Sequence, residues 1–498
     1  MFILMVVVFV LGYTAIALEH PIKVDKAASA LLIGVLTWTI YVLNSTEILN
    51  LGFSPSWASI QERAHDLLHY VKPNLPLDKA GNPDMNPGWM EILHIAHDPI
   101  YFVKHELAHH LVEIAEILFF LLGAMTIVEI VDQHEGFRII TDKIKTIKRS
   151  KLLWVISILA FFMSAALDNL TTTIVMIALL RKLMTDQKDR WTFASMVVIA
   201  ANAGGAWSPI GDVTTIMLWI GGQITAGSII IHVIVPSIVT MVVPVTIMSM
   251  MMKGNVSRPV VETPQEHVDV PTTSNERMIV FLLGVGSLLF VPVFKTVTHL
   301  PPYMGMLLGL GNMWLVTEIM HRRKNHQTRS KLTVVGILKK IDTATIFFFM
   351  GILVAVAALQ SAGQLALLSN FLDENLGNIY AVNLAIGVLS AIVDNVPLVA
   401  GAMGMYDIYT PDMLQALGDS AAMTYYHDFQ VDGIFWEFLA YCAGTGGSIL
   451  IIGSAAGVAA MGLEKIDFIW YLKKMSLLAL IGYLAGAATY YAQVMLFY

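Results

Sequence analysis

Long apolar runs separated by short polar stretches make up most of this sequence. Runs close to the roughly 20 residues that an α-helix needs to cross a bilayer recur along the whole chain. We interpret ten of them as complete spans: 2–18, 27–43, 108–131, 192–222, 226–252, 278–294, 301–320, 341–360, 433–462 and 475–496. A further segment, 361–376, is predicted to lie at the membrane interface. The pattern predicts an all-α polytopic membrane protein.

Two other apolar regions are each interrupted by the same polar motif. Residues 164–169 read Ser-Ala-Ala-Leu-Asp-Asn and residues 390–395 read Ser-Ala-Ile-Val-Asp-Asn, an offset of 226 positions. The arms around the first break, 152–166 and 170–180, are each too short to cross the bilayer alone. We therefore predict a re-entrant helical hairpin around each motif, the second occupying residues 378–404.

Two of the complete spans contain glycine-rich interruptions near their middle. The pair Gly204 and Gly205 in the span 192–222 matches the pair Gly446 and Gly447 in the span 433–462, at an offset of 242 positions. Glycine and proline weaken a helix, and irregular backbone at membrane depth is tolerated where it lines a cavity. Both spans are therefore predicted to be broken helices.

The repeated motifs divide the chain into halves, residues 1–252 and 278–498, joined by a polar cytoplasmic linker, 253–277. Each half contains five complete spans, an odd number, so the halves are predicted to be inverted-topology repeats. The first half carries a long polar insertion, 44–103, predicted to be extracytoplasmic. With both termini outside, the cytoplasmic loops hold 25 of the 30 Lys and Arg, as the positive-inside rule requires.

Composition agrees with this class. The chain is 56% hydrophobic and 13% charged, whereas soluble domains carry about 25% charged residues. The single cysteine, Cys442, excludes an intramolecular disulfide and a cysteine-based metal cluster. The first run lacks a preceding basic stretch, which favours a retained span over a cleaved signal peptide. Because Lys and Arg follow the membrane loops, we expect lipid as a partner and no nucleic acid.

An aspartate within an apolar segment costs several kcal/mol unless it meets a partner or a cavity, so Asp168 and Asp394 are functional candidates. A carboxylate binds either a proton or a cation, and competition between H⁺ and Na⁺ is sufficient for exchange. The predicted ion-binding residues are Ser164, Asp168, Asn169, Ser390, Asp394 and Asn395, supported by Thr172, Gly204, Gly205, Ser208, Thr445, Gly446 and Ser448. Transported cations are the only ligands expected, with no cofactor and no transition metal.

Structural roles compete with these assignments. Asp or Asn before a helical arm is a common N-cap, the glycine pairs suit close packing, and membrane threonines often bond to their own helix carbonyls. Glu113, Glu116 and Asp212 are further acids within apolar sequence and are candidates for a proton route.

One short motif indicates a different class. His105-Glu-Leu-Ala-His109 matches H-E-x-x-H, in which two histidines on one helical face bind zinc and the glutamate is a general base. The corresponding hypothesis is an intramembrane zinc metalloprotease with Asp168 as the third ligand, but it leaves the repeat unexplained. Three interpretations stay open for the other histidines nearby. They are a solvated polar face, a sensor of proton concentration, and an adventitious metal site.

The segments 119–129, 164–173 and 390–397 resemble those of the NhaD-type sodium/proton antiporters, which belong to the ion transporter superfamily. The resemblance covers nearly the whole chain except 44–103. It implies a secondary transporter, not an enzyme, that extrudes Na⁺ and also Li⁺ in exchange for H⁺.

The resemblance also implies a homodimer in the inner membrane of bacteria, with scaffold helices and a transport domain that moves like an elevator. The alternative on the same fold is a sodium-coupled carboxylate or oxyanion transporter. Relatives of that kind carry Ser-Asn-Thr-like motifs at the hairpin tips, where this chain carries Asp.

Overall fold

The computed structural model describes residues 1–17, 19–72, 85–141, 144–258, 272–325, 329, 332–392, 394–418 and 420–497. Within these ranges the secondary structure is helical, apart from an isolated bridge between Lys148 and Asn255. The prediction of an all-α chain is confirmed. Residues 73–84 of the predicted insertion and 259–271 of the predicted linker lie outside the described residues.

The chain forms two compact units. The first comprises Met1–Ala115, Thr343–Gly377 and Ala400–Asp407, and the second comprises Glu116–Asp342, Asn378–Val399 and Ile408–Tyr498. Each unit draws on both predicted repeats. The inverted relationship of the repeats stays a prediction.

The first unit is built from helices near the N-terminus and from the segment after residue 343. Its helices are α1 (Phe2–Ala17), α2 (Glu19–Ile22), α3 (Lys26–Leu43), α4 (Ser45–Leu49), α5 (Pro55–Asp66, followed by a π-helical turn Leu67–Val71), α6 (Pro87–His97) and the start of α7 (Pro99–Gln133). The helices α17 (Thr343–Ser361) and α18 (Gln364–Leu376) and the end of α20 (Asn395–Met405) complete this unit.

Helices α3 and α17 form the core of the first unit. A Cβ atom on Gly34 would lie 2.7 Å from the carbonyl oxygen of Gly351, so both glycines permit close approach of the two helices. The Trp38 indole donates to the carbonyl of Val354 (2.8 Å). This contact satisfies a buried donor that the apolar surroundings would otherwise leave without a partner.

The second unit contains the remaining helices. Its first part has the rest of α7, then α8 (Arg138–Thr141), α9 (Arg149–Leu167), α10 (Asn169–Leu183), α11 (Gln187–Ala206), α12 (Val213–Ile220), α13 (Ala226–Met251), α14 (Ser274–Thr298), α15 (Pro302–His321) and α16 (Val334–Leu338). Its second part has α19 (Ile379–Leu389), the start of α20, α21 (Pro411–Ala416), α22 (Ser420–His427), α23 (Ile434–Gly446), α24 (Ala455–Glu464), α25 (Phe468–Lys474) and α26 (Ser476–Phe497).

Seven of the described helices are long and apolar enough to cross a membrane: α3, α7, α9, α13, α14, α17 and α26. The predicted multi-pass membrane protein is therefore confirmed. The predicted broken spans correspond to α11 with α12 and to α23 with α24, each pair separated by a non-helical stretch.

The predicted hairpins correspond to α9 with α10 and to α19 with α20. The prediction that both arms of the first hairpin are too short is wrong for α9, which has 19 residues and is one of the seven. The predicted arm included apolar residues alone, 152–166. The helix begins earlier, at Arg149, because its backbone hydrogen bonds also include the polar residues that precede the apolar run. Helices α19 and α20 have 11 residues each. The re-entrant path of both pairs stays a prediction.

Ion pairs join three helix ends in the second unit. The carboxylate of Glu464, at the end of α24, accepts from Arg181 of α10 (2.6 Å) and from Arg190 of α11 (2.8 Å). Its side chain is 2% exposed, so the two guanidinium groups compensate a buried charge. The hairpin helix α10 and the broken pairs are thereby tied together at one end.

Candidate functional site

The aspartate of each repeated motif caps the second helix of its pair. Asp168 lies between α9 and α10 with φ of +82°, and its carboxylate accepts from the Thr171 backbone N–H (2.7 Å) and hydroxyl (2.9 Å). Asp394 precedes α20, and its Oδ1 accepts from the Val396 backbone N–H (3.4 Å). The capping role that the sequence suggested for the asparagines is filled by these aspartates.

The asparagines point instead at one acid. The Asn169 amide donates to Asp212 Oδ2 (2.8 Å) and to Asn202 Oδ1 (3.1 Å). The Asn395 amide donates to both carboxylate oxygens of Asp212 (3.4 and 3.3 Å). All four side chains are buried, with Asp212 1% exposed. Residues that are far apart in sequence, one from each motif, thus meet at a single carboxylate.

Asp212 owes its position to the break between α11 and α12. It has extended backbone angles and is the N-cap of α12, accepting from the Thr214 backbone N–H (3.0 Å). The positive end of the helix dipole favours negative charge at this position. Asp168 and Asp394 both act electrostatically on its carboxylate. The break therefore supplies a buried carboxyl group on which two other acidic side chains act.

The second break reaches the same cluster through Asn202. The Asn202 amide donates to Ser448 Oγ and to Ser454 Oγ (2.9 Å each). Ser454 is the N-cap of α24, as Asp212 is of α12. The equivalent caps of the two broken pairs are thus an aspartate in the first half and a serine in the second.

Glycines let the broken helices approach the hairpin helices. A Cβ atom on Gly204 would collide with the carbonyl oxygen of Phe161, and one on Gly446 with that of Gly387. Phe161 and Gly387 differ by the 226 positions that separate the two motifs. The same contact therefore recurs in both halves, and close packing is its immediate physical role.

The other predicted glycine forms a contact inside the first break. A Cβ atom on Gly205 would meet the carbonyl oxygen of Gly211, and one on Gly211 would lie 2.9 Å from the carbonyl oxygen of Ser164. Backbone carbonyls of the hairpin and of the break thus lie next to each other beside Asp212. Unwound segments offer backbone carbonyls to Na⁺. The Gly211 carbonyl belongs to such a segment, whereas the Ser164 carbonyl accepts from the Asp168 backbone N–H (3.2 Å).

Several predicted hydroxyl ligands bond to the backbone. Ser208 donates to the carbonyl of Ala165 (2.6 Å), Ser390 to that of Ala443 (2.9 Å), and Thr445 to that of Tyr441 (2.6 Å). These bonds hold helices together or close a turn.

Two predicted hydroxyl ligands are different. Ser164 Oγ and Thr172 Oγ1 are buried and have no hydrogen-bond partner among the described residues. A buried hydroxyl without a partner is costly, and each of these oxygens suits a hard cation such as Na⁺.

The two glutamates proposed for a proton route lie outside this cluster. The Glu113 carboxylate contacts the rings of His110 (3.5 Å) and His109 (3.9 Å). The side chains of Glu113 and His109 are 61% and 63% exposed. Glu116 acts electrostatically on Lys295 of α14.

The H-E-x-x-H motif does not form its own metal cluster. In the described part of the chain, the histidine and acidic groups that are close enough to share an ion are His109, His110 and Glu113. His105 and Glu106 of the motif are not among them. Among the described residues, the motif therefore does not supply the zinc ligand set of the metalloprotease hypothesis.

Two important members of the cluster were not among the predicted ligands, Asn202 and Ser454. Asn202 is an uncharged amide inside a helix, and Ser454 follows the second glycine-rich stretch as a helix cap. The signal that could have found Asn202 is a polar amide two residues before the paired glycines of the first break. Sequence spacing alone does not reveal that it crosses to the second break.

The chemistry of the cluster is that of a cation site. One buried carboxylate is surrounded by amides, hydroxyls and backbone carbonyls, which are hard oxygen ligands or donors that stabilise the anion. Desolvation favours the protonated acid, whereas a bound cation favours the carboxylate. The site is therefore suited to hold one H⁺ or one metal cation of the alkali type.

Comparisons with known proteins point the same way. Residues 1–425 match a family model described as "Citrate transporter". The chain is 49% identical to "Sodium/proton antiporter 1" of Arabidopsis thaliana over 387 residues, which are 78% of this chain and 63% of that relative. It is 46% identical to "Sodium/proton antiporter 2" of the same plant over 78% of this chain and 87% of the relative.

Bacterial relatives extend the comparison. The chain is 32% identical to "Na(+)/H(+) antiporter NhaD" of Vibrio parahaemolyticus over 400 residues, which are 75% of this chain and 89% of that relative. The resemblance drawn from the repeated motifs is thereby confirmed. The protein belongs to the citrate transporter family of membrane proteins and, within it, to the NhaD-type sodium/proton antiporters.

Proposed function

We propose that this protein exchanges Na⁺ for H⁺ across its membrane, with Asp212 as the group that binds the two cations alternately. The observation that carries the proposal is the convergence of Asn169 and Asn395 on the buried Asp212 carboxylate. The plant and bacterial relatives, which are named as sodium/proton antiporters, support the same activity.

Exchange follows from competition at one carboxylate. When Na⁺ binds, the protonated acid of Asp212 releases H⁺ and the resulting carboxylate coordinates Na⁺; on the opposite side the reverse occurs. Asn202 Oδ1, Ser164 Oγ and Thr172 Oγ1 are the oxygens that would complete the Na⁺ shell. The amides of Asn169 and Asn395 keep the carboxylate hydrogen-bonded while it is ionised.

Finer features are proposed on the family resemblance. Li⁺, which is small and hard like Na⁺, would use the same oxygens. Because every member of the Asp212 cluster lies in the second unit, that unit suits the part that carries the ion in an elevator-like movement. We also propose a homodimer with both termini outside, in the cell membrane in the case of a bacterial source.

A carboxylate transporter is the second candidate, because the matching family model is described as a citrate transporter. An anionic substrate needs cationic or N–H groups, and the Asp212 carboxylate would repel it. In the described part of the chain, the hydrogen-bond partners of Asp212 and Asn202 are amides, hydroxyls and a backbone N–H. This environment favours a cation over citrate.

The test measures ΔpH in membrane vesicles containing the full chain, after addition of Na⁺, Li⁺, K⁺ or citrate. We expect Na⁺ and Li⁺ to dissipate ΔpH for the wild type and Asp212→Asn to abolish the response. The matched control is Asp467→Asn, which changes an exposed helix cap on α25 that bonds to the Trp470 backbone N–H (2.7 Å) and should retain the response.

Two outcomes would contradict the proposal. If no cation evokes proton movement with the wild type, antiport is wrong, and sodium-dependent uptake of citrate would then support the second candidate. If Asp212→Asn exchanges Na⁺ for H⁺ at the wild-type rate, the assignment of the exchanging carboxylate is wrong.

A further inference from the structure

Another buried acid in the same unit lies outside the contacts that form the Asp212 cluster. Glu437 lies in the first turn of α23 and is 1% exposed. An ionised carboxylate in such a place is stable only when donors or a cation compensate it. The identity of those donors indicates what the residue can do.

Three side chains from two other helices donate to Glu437. His232 of α13 lies with Nδ1 2.7 Å from Oε1, and the Ser228 hydroxyl donates to the same oxygen. The Tyr490 hydroxyl of α26 donates to Oε2 (3.0 Å). Because an ionised carboxylate only accepts hydrogen bonds, Nδ1 of His232 carries the proton in this arrangement.

The pair lies between the protein interior and its surface. Glu437 is buried, whereas the His232 side chain is 29% exposed. The Gln493 amide of α26 donates to the His232 carbonyl (3.3 Å) and fixes that turn of α13. Helices α13 and α23 begin at this end of the unit and α26 ends there, which by the predicted topology is the extracytoplasmic side.

The neighbouring helices bring few charges to this position. From α19, Tyr380 packs against Phe438 with ring centroids 5.5 Å apart, and Asn383 donates to the carbonyl of Phe435 (3.1 Å). Helix α12 contains no titratable side chain. The charged residues of α11 are at the opposite end of that helix from its C-terminal break. In the loop before α23, Asp432 bonds to Thr225. His232 is thus the basic group that faces Glu437 in the contacts described.

A polar stripe leads from the pair toward the Asp212 cluster. Glu437, Tyr441 and Thr445 follow each other at intervals of four residues and are all buried, so they share one face of α23. From Glu437 to Thr445 the helix rises about 12 Å. The stripe ends beside Ser448, whose hydroxyl accepts from Asn202 (2.9 Å).

We propose that His232 and Glu437 form a proton-uptake station, which binds the exchanged proton at the end of the unit where α13 and α23 begin and delivers it toward Asp212. The proposal rests on the proposed function. The incoming proton binds Nε2 of His232, and the Nδ1 proton passes to Oε1 of Glu437. The ring is then neutral again with its proton on Nε2, and one proton has moved inward.

The test uses the full chain in proteoliposomes and two assays. The first assay measures Na⁺/H⁺ exchange with an entrapped pH dye at several external pH values. The second assay measures exchange of ²²Na⁺ for Na⁺ without a pH gradient. The second reaction needs the cation site but no proton uptake. We expect Glu437→Gln and His232→Gln to slow Na⁺/H⁺ exchange about tenfold or more and to leave Na⁺/Na⁺ exchange unchanged. Asp467→Asn, at the exposed cap of α25, is the control and should retain both activities.

Three results would overturn the inference. Wild-type rates and pH profiles in both Gln variants would show that the pair carries no proton. Equal loss of Na⁺/Na⁺ exchange in the Gln variants would show that the pair is structural. A wild type that moves no protons on addition of Na⁺ refutes the proposed function itself, and this is seen before any variant is compared.

Discussion

At the scale of residues, the adjacent Asp and Asn of each motif have different tasks. Successive side chains at the start of a helix point about 100° apart, so two neighbours cannot serve the same position. The Asp168 carboxylate accepts from the Thr171 backbone N–H, three residues further along the chain, whereas the Asn169 amide donates to Asp212. The aspartate of each motif thus caps a helix locally, and the asparagine next to it contacts the cluster that binds the cation in our proposal.

Substitutions at Asp168 should separate its cap from its charge. Asparagine is as good an N-cap as aspartate, whereas alanine loses the cap at a cost of about 1 kcal/mol. We expect Asp168→Ala to lower the free energy of unfolding by that amount and Asp168→Asn to leave it nearly unchanged. Thermal unfolding in detergent measures both.

The same variants test the role of the charge in transport. Because Asp168 acts on Asp212 electrostatically and caps α10, we expect Asp168→Asn to weaken apparent Na⁺ affinity about tenfold, equivalent to 1.36 kcal/mol. Asp212→Asn should abolish exchange. Complete loss of exchange in a stably folded Asp168→Asn variant would instead make Asp168 a direct ligand.

At the scale of elements, glycine contacts set how closely the hairpin and broken helices cross. Gly204 lies against the backbone of α9 and Gly446 against that of α19. A backbone carbonyl cannot rotate out of the way as a flexible side chain can. The added methyl group of alanine must therefore displace a whole helix.

Gly204→Ala should destabilise the protein by about 1–3 kcal/mol, the usual cost of overpacking, and should also reduce exchange because α11 carries Asn202. The matched control is Gly462→Ala on α24, where a Cβ atom has no neighbour within 4 Å. This control should be neutral or slightly stabilising. Equal unfolding temperatures for the two variants would show that the crossing tolerates a methyl group.

The ends of α7 and α15 are joined by a histidine pair. His134 Nδ1 donates to the carbonyl of Ile130 (2.7 Å), and its Nε2 lies 2.8 Å from Nε2 of His321. Burial is the main cause that lowers the pKa of His134 from its ordinary value of 6.5, and nearby Lys324 acts in the same direction. The folded protein therefore favours the neutral form of this imidazole.

The sign of the pH effect follows from linkage. Because the folded pKa lies below the unfolded value of 6.5, the stabilisation is present above that pH and is lost as pH falls. We expect the unfolding temperature to drop between pH 7.5 and pH 5, and the drop to be smaller for His134→Gln. His97→Gln, at an exposed helix end, is the control. An unchanged pH profile for His134→Gln would contradict the assignment.

At the scale of the whole molecule, the membrane path of the hairpins decides the topology. Basic residues flank the first hairpin on both sides, and α9 alone is long enough to cross. If the pair is re-entrant, both flanks lie in the same compartment. If α9 and α10 together cross the membrane, the flanks lie on opposite sides.

Cysteine labelling distinguishes the two paths. The single cysteine, Cys442, is buried, so Cys442→Ala provides a background without reactive thiols. In that background we expect Lys151→Cys and Lys182→Cys to react with a membrane-impermeant maleimide from the same side of oriented vesicles. Asp412→Cys, in the loop predicted to be extracytoplasmic, should react from the other side. Labelling of positions 151 and 182 from opposite sides would exclude re-entrance.

The amino-acid sequence by itself determined the helices, the two breaks and the family. Those features depend on local hydrophobicity, on the conformational preferences of glycine and on a repeated motif, all of which are visible along the chain. The boundary of α9 was missed because the apolar pattern stops before the helix does.

Only the tertiary structure decided which residues meet. The two asparagines are separated by 226 positions, and neither spacing nor periodicity indicates that both reach Asp212, or that Asn202 bridges to Ser454. The repeated aspartates attract attention in the sequence because a charged residue is rare in an apolar segment. A helix cap, however, already provides such a carboxylate with hydrogen bonds from its own helix. A buried site depends on which side chains the crossing helices bring within hydrogen-bond distance, and that is set by packing over the whole unit.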